Sequence, residues 1–286
     1  MHFERIAIVG LGLIGGSFAL AARQARIAEK ITGYDTGDVL EYALAHNYID
    51  DVETAFRDGS ESEADLVYLA TPVRAIIDFL RTRARHLKRG AIIMDAGSTK
   101  REIFLAARES LSEGVHFVGG HPMAGSERTG IEAATADLFR DAPYAVVASG
   151  ESKLNDRDYS AAADAVLDVV LAIGGRPVIT NPVEHDRAVA RVSQMPQLLS
   201  TALAVAVAKK GEGRELVGAG FADMTRLAGS RWSVWEDICR TNADEISTAL
   251  DEVIAEIEAM RADLVEGRFS ELAQAFGRAN ESTRDF

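Results

Sequence analysis

Apolar residues are spaced along this chain in two ways, and the change of spacing divides it. Through the first 180 residues, short β-branched runs recur between Gly, Pro, Ser or Asp. Residues 5–9, 30–34, 65–70, 91–95 and 115–118 read as strands, continuously apolar as strands buried on both faces must be. Stretches with helical spacing lie between them, over 18–24, from Pro72 to Leu87, and after Lys100. Residues 144–148 and 176–180 read as the last strands, joined by a helix over 161–173. Strands alternating with helices predict an α/β architecture with a mostly parallel sheet covered on both faces. At Asn181-Pro182 the pattern changes, and only helical periodicity follows, over 184–209, 214–227, 232–260 and beyond, and 269–279. The expectation is an α/β domain over 1–180 and an all-helical domain over 181–286, with a ligand cleft between them.

The first strand runs directly into Gly10-Leu11-Gly12-Leu13-Ile14-Gly15. A lone GxGxxG is a weak signal, but here a strand precedes it, a helix follows, and a second strand ends at Asp35, about twenty residues beyond Gly15. In that context Gly10 permits the tight turn and Gly12 lets the backbone approach a pyrophosphate. Gly15 lets the helix pack closely, and its first turn, with Leu13 and Ile14, faces the phosphates. The arrangement predicts a Rossmann-type dinucleotide-binding domain. Asp35 would accept hydrogen bonds from a ribose diol and repel a 2′-phosphate, and no arginine follows it, so NAD is preferred to NADP. The competing reading of Asp35 is a helix cap after an incidental glycine turn.

Ligands of an open parallel sheet bind outside the carboxyl ends of its strands. Thr71 and Pro72 follow the third of the predicted strands, on the cofactor side, and Ser98 follows the fourth. His121 follows the fifth, before Pro122, which fixes its own φ and pushes its neighbour out of helical space. His121 should therefore stand extended on a stiff support. A neutral imidazole, with a reference pKa of about 6.5, can accept a proton at neutral pH. Taken singly, a serine in the place of Ser98 is more often a helix N-cap than a catalytic partner, and the two roles are compatible.

Composition narrows the classes. A net charge of −13 argues against a nucleic-acid surface, and the basic run of Arg81, Arg83, Arg85, Lys88 and Arg89 reads as one solvated helix face. The single Cys239 offers neither an internal disulfide nor a cysteine metal site and fits a reducing compartment. No leader-like segment opens the chain, and the apolar run 198–208 is too short to span a bilayer, so a soluble cytoplasmic protein is expected.

Across essentially its whole length the chain resembles the TyrA-type prephenate and arogenate dehydrogenases of tyrosine biosynthesis. The resemblance is carried by the glycine loop through Ser17, Asp95-Ala-Gly-Ser-Thr-Lys100, Gly119-Gly-His-Pro-Met-Ala-Gly-Ser-Glu127, His185-Asp186, and Gly220-Phe-Ala-Asp-Met-Thr-Arg-Leu-Ala228. It implies an NAD-dependent oxidative decarboxylation of a cyclohexadienol, and a homodimer formed through the helical half. It assigns His121 as the proton acceptor with Ser98 hydrogen-bonded beside it, and Arg226 as the clamp for the side-chain carboxylate. Glu127 and Asp223 would orient Arg226, and Trp235 would wall the pocket or serve as a core aromatic. Where relatives carry Ser-His-Leu-Pro-His, this chain has Ser193-Gln194-Met195-Pro196-Gln197. Gln194 and Gln197 would then meet the substrate without a positive charge, which leaves prephenate, arogenate and a 4-amino-4-deoxy relative open. A dimer seam over Ile246, Leu250, Ile254 and Ile257 competes with a plain core face. A β-hydroxyacid dehydrogenase would want a lysine on the first helix of the second half, and 184–208 holds none. An NAD-sensing module without turnover is the alternative outside the enzymes.

Overall fold

The computed structural model describes residues 2–125, 128–148, 157–211 and 213–284. Eight strands form one sheet: β1 (Phe3–Val9), β2 (Ala28–Tyr34), β3 (Asp51–Val52), β4 (Leu66–Leu69), β5 (Ile92–Asp95), β6 (His116–Pro122), β7 (Pro143–Val147) and β8 (Arg176–Thr180). Their spatial order is β3-β2-β1-β4-β5-β6-β7-β8. The first six are parallel, β7 runs antiparallel to β6, and β8 is parallel to β7. The helices among them are α1 (Leu13–Ala25), α2 (Gly37–Ala45), α3 (Ala55–Asp58), α4 (Val73–Thr82), α5 (Arg101–Ser110) and α6 (Arg157–Ala172).

Each face of the sheet has its own core. Phe18 of α1, Tyr68, Tyr144 and Val166 of α6 fill one, while Val67, Ile76 and Phe79 of α4 and Ile103 of α5 fill the other. Phe18 stacks on Tyr68 with ring centroids 3.8 Å apart, and the Tyr68 and Tyr144 hydroxyls meet at 3.0 Å. Each phenol thus partners the other in a layer where an unpaired hydroxyl would cost about 1–3 kcal/mol. The charged forms are disfavoured accordingly, and burial pushes both phenols above the usual tyrosine range.

β6 is longer than its sequence suggests. It continues through Gly119 and Gly120 to Pro122 because β7 pairs with that extension, from Gly119 opposite Val147 to Pro122 opposite Tyr144. His121 is therefore clamped within the sheet, across from Ala145. A Cβ on Gly120 would lie 2.5 Å from the Asp95 carbonyl, so only glycine lets β5 and β6 approach this closely before the histidine.

The helical half comprises α7 (Pro182–Val189), α8 (Met195–Lys210), α9 (Ala219–Thr225), α10 (Trp232–Thr241), α11 (Ala243–Glu266) and α12 (Phe269–Ser282). Asn181 caps α7, its Oδ1 accepting from the Val183 and Glu184 amides, with Pro182 in the first turn. The sequence suggested unbroken helices over 184–209, 214–227 and 232–260, and each is interrupted. A π turn at Ala190–Gln194 separates α7 from α8. Pro196 follows it and has no amide to bond back, so the widened turn absorbs the loss. Residues 214–227 break into short turns around α9, ending in a 3₁₀ turn at Arg226–Gly229.

The third break, at Asn242, joins the two halves. Asn242 is fully buried, donates to the Asp186 carbonyl at 2.9 Å and to Gln194 Oε1 at 2.7 Å, and accepts from Arg101 at 2.8 Å. Arg101, the first residue of α5, also reaches the Asp186 and Asp244 carboxylates. Arg101 holds the Asp244 carboxyl down at about 2. Arg101→Ala should lower stability by about 2 kcal/mol, a fall in melting temperature of roughly 4–8 °C by calorimetry. An unchanged melting temperature would show that the halves are joined by other contacts.

Candidate active site

The cofactor end of the sheet is built by steric exclusion. Gly10 adopts φ +89°, and a Cβ there would lie 2.7 Å from both the Ala70 carbonyl and Thr71 Cγ2. A Cβ on Gly15 would come within 1.8 Å of the Gly10 carbonyl. Gly12 differs: nothing lies within 4 Å of a Cβ built there, so its missing side chain leaves open space in front of the α1 N-terminus. Asp35 turns back to the loop, its two oxygens accepting the Leu11 and Thr36 amides at 2.6 Å each. The carboxylate thus shapes the glycine turn, which the ribose reading did not anticipate. Thr71 Oγ1 is buried beside this loop and has no hydrogen-bond partner among the described residues. An open backbone cradle, a helix N-terminus and one orphaned hydroxyl fit a dinucleotide pyrophosphate and its sugar.

Next to it, at the ends of β5 and β6, lies a buried polar cluster. Asp95 is fully enclosed and accepts from Gly97 N at 2.9 Å, from Gly120 N at 3.0 Å and from the equally buried Lys100 ammonium. Burial pulls Lys100 below the ordinary lysine range, against the opposing pull of Asp95. His121, 9% exposed, places Nδ1 2.9 Å from His185 Nε2. His185 Nδ1 lies 2.8 Å from Asp186 Oδ1. Burial is the first cause, and the neighbouring His185 and Lys100 add to it, in holding the His121 imidazole well below its ordinary value of 6.5. It is a neutral base at neutral pH.

The other residues singled out in the sequence divide. Ser98 contributes its carbonyl to Gln194 at 3.5 Å, and among the described residues the hydrogen-bond partner of His121 is His185, not Ser98. Gln194 and Gln197 are buried, and each amide both donates and accepts within the protein. Gln194 bridges Ser98 and Asn242; Gln197 donates to the Leu227 carbonyl at 2.7 Å and accepts from Ser230 at 3.1 Å. They brace the α7–α8 rod, three residues and about one turn apart on it. Gln197, with Ser200 accepting from Ala228 N at 3.1 Å, fixes the turn that carries Arg226. Arg226 and Asp223 are exposed on that turn and on α9. Trp235, half-buried, packs against Ala190, Ile238, Ile246 and Ala249, the small core of the helical half. Glu127 lies outside the described residues. Sequence reasoning missed Asn242 and the contact of His121 with His185; the adjacent His185-Asp186 pair at the start of the second half was the available signal.

A doubly wound sheet with this glycine cradle, and a buried neutral histidine at its carboxyl edge, defines an NAD-dependent oxidoreductase of two-domain plan. Residues 18–179 match the family profile described as prephenate dehydrogenase, nucleotide-binding domain, and residues 181–278 match its dimerization domain. The chain belongs to the prephenate dehydrogenase family. It is 34% identical over 265 residues to the prephenate dehydrogenase of Bacillus subtilis (strain 168), covering 90% of this chain and 69% of that protein. It is 32% identical over 270 residues to the cyclohexadienyl dehydrogenase of Zymomonas mobilis, covering 91% and 88%. The solved prephenate dehydrogenase of A. aeolicus, in complex with hydroxyphenyl propionate and NAD+, superposes with a TM-score of 0.88 at 25% identity, over 100% of this chain and 99% of that one.

The glycines make separable predictions. Gly12→Ala should keep the parent melting temperature yet weaken NAD binding at least about tenfold, on the order of 1.4 kcal/mol, because the new methyl enters only the cofactor's space. Gly15→Ala should destabilise the fold itself. Binding measured by fluorescence titration beside thermal melts checks both, and equal NAD affinity in Gly12→Ala would move the cofactor off this loop.

Proposed function

We propose that this enzyme carries out the oxidative decarboxylation of prephenate to 4-hydroxyphenylpyruvate, or of its amino counterpart arogenate to tyrosine, with His121 as the proton acceptor. NAD, held at Gly10, Gly12, Leu13, Ile14, Gly15, Asp35, Thr71 and Pro72, supplies the hydride acceptor. The ring hydroxyl lies against His121 Nε2, the nitrogen not used for His185, and gives it a proton as the carbinol C–H bond breaks. The carboxylate on the opposite ring carbon then leaves as carbon dioxide, and its bonding electrons aromatise the ring. The new phenolate oxygen takes the proton back from His121, so the step is balanced without an external acid. Arg226 grips the side-chain carboxylate through its guanidinium fork, with Asp223 one helical turn before it. Ser98 lines the pocket at the end of β5, Trp235 backs it from the helical half, and Glu127 is the second acid expected beside Arg226.

The observation that carries this reading is the placement of His121, 9% exposed, held in β6 opposite Ala145 with Nδ1 2.9 Å from His185 Nε2. Proton transfer by a positioned side chain contributes typically about 10²- to 10⁴-fold. His121→Asn should lose roughly that much in kcat while NAD affinity stays nearly intact, followed by the rise of reduced nicotinamide absorbance with each substrate. A fully active variant would move the base elsewhere. No reduction with any cyclohexadienol would favour an NAD sensor. A base whose pKa is depressed is neutral, hence active, above that pKa. The acid limb of kcat should therefore fall below pH 6.5, and a limb centred above it would contradict the burial of the ring.

The assembly proposed is a homodimer through the helical half, in the cytoplasm, where the single Cys239 suits a reducing milieu. Ile246 and Leu250 of the anticipated seam pack inward, while Ile254 and Ile257 remain about half exposed. With Leu264, Val265, Phe269 and Phe276 they leave large apolar side chains exposed along α11 and α12. Ile254→Glu with Ile257→Glu should shift sedimentation from dimer to monomer, and an unchanged dimer would place the interface elsewhere. Among the described residues no helix is long and apolar enough to cross a membrane.

A further inference from the structure

His185 and Asp186 open the first helix of the second half, and the reaction just described gives them no part. Both are buried, at 3% and 0% exposure, and they stand in series behind His121. The His121 and His185 rings meet edge to face, with centroids 5.1 Å apart and an interplanar angle of 63°. Two neutral imidazoles can share one hydrogen bond only if one nitrogen carries the proton and the other does not. Geometry decides which. Every partner of the Asp186 carboxylate is a donor: Oδ1 takes the Lys100 amide at 2.7 Å, and Oδ2 takes the Arg101 amide at 2.9 Å and the Arg101 Nε at 3.3 Å. With Oδ1 also facing His185 Nδ1 at 2.8 Å, the proton of His185 belongs on Nδ1. His185 Nε2 is then a lone pair, and it can only accept from His121 Nδ1–H.

We propose that Asp186 and His185 are positioning residues that hold the proton of His121 on Nδ1, so that Nε2 presents the lone pair that removes the substrate's hydroxyl proton. The arrangement rests on His121 being the base. It extends by one ring the logic of a carboxylate that sets the tautomer of a catalytic histidine, where the wrong tautomer costs on the order of 10⁴ in kcat. It also crosses the domain boundary, because His121 stands on β6 and its two orienting residues on α7. A cleft whose halves have moved apart would release the ring to the other tautomer. The charged groups facing the pair are Lys100 and Asp95 from the β5 loop and Arg101 from α5, besides Asp186 itself. Lys100 and burial both oppose a charge on either ring, so both imidazoles are neutral before the substrate's proton is transferred, and only His121 carries a charge during the step.

The test combines a spectroscopic and a kinetic readout on the full chain saturated with NAD. In ¹⁵N-histidine-labelled protein at neutral pH, His121 should show a protonated Nδ1 and an unprotonated Nε2. His185→Leu, which removes the acceptor, should shift His121 toward the opposite tautomer and lower kcat by roughly 10²- to 10⁴-fold with little change in KM. His185→Gln, whose side-chain carbonyl reaches the same position, should restore the tautomer and bring kcat within about tenfold of the parent. A purely structural role would lower the melting temperature in both variants alike and leave the tautomer unmoved, and that result overturns the proposal. So does a parent protein with its His121 proton on Nε2. Should the chain oxidise neither substrate, the proposed reaction falls while the nitrogen spectra still judge the tautomer. Should His185→Leu not fold, the parent spectrum and His185→Gln decide.

Discussion

Among the contacts that join the two halves of this protein, one buried carboxylate gathers hydrogen bonds from both. Asp186 is fully enclosed, and an uncompensated charge in that position would cost several kcal/mol. It persists because α5 points its first amides at it from one side and His185 and Arg101 reach it from the others. The N-terminus of a helix favours negative charge, so the sheet domain offers a site that only an acid from the helical domain can fill. Docking the halves and orienting the histidines are thereby one event. Loss of the carboxylate would unseat both.

The cofactor end shows the opposite economy, since it depends on what is missing. Gly10, Gly15 and Gly120 are places where backbone touches backbone and a single methyl would collide. Gly12 differs, because no protein atom of the described residues lies within 4 Å of a Cβ built there. Asp35 stitches the loop to the end of β2 through the Leu11 amide. The turn is thus held by the protein's own hydrogen bonds and close packing.

The substitution of glutamines for the histidines common in relatives reads differently once the packing is known. Gln194 and Gln197 each use donor and acceptor inside the protein, tying α8 to the Ser98 loop, to Asn242 and to the turn that bears Arg226. An amide serves such a brace at any ordinary pH, since it has no proton to gain or lose. Both glutamines therefore hold the same contacts across the pH range in which a histidine would change charge.

The α/β sheet with a helical second half was legible in the sequence, because strand and helix periods and a glycine loop are local properties. So were the extended support of His121 and the glycine turn after β1, where sequence spacing maps directly onto local geometry. The antiparallel extension of β6, the breaks at Ala190–Gln194 and Asn242, and the bracing role of the glutamines were not. Each arises from residues far apart in the chain that satisfy one another's hydrogen bonds. His185-Asp186 stood out only as a pair of letters. Its meaning came from proximity to His121, 64 positions earlier, and periodicity carries no information about such a pairing. Pattern determined which elements form; burial of polar groups, which tolerates no unmet partner, decided how they are joined.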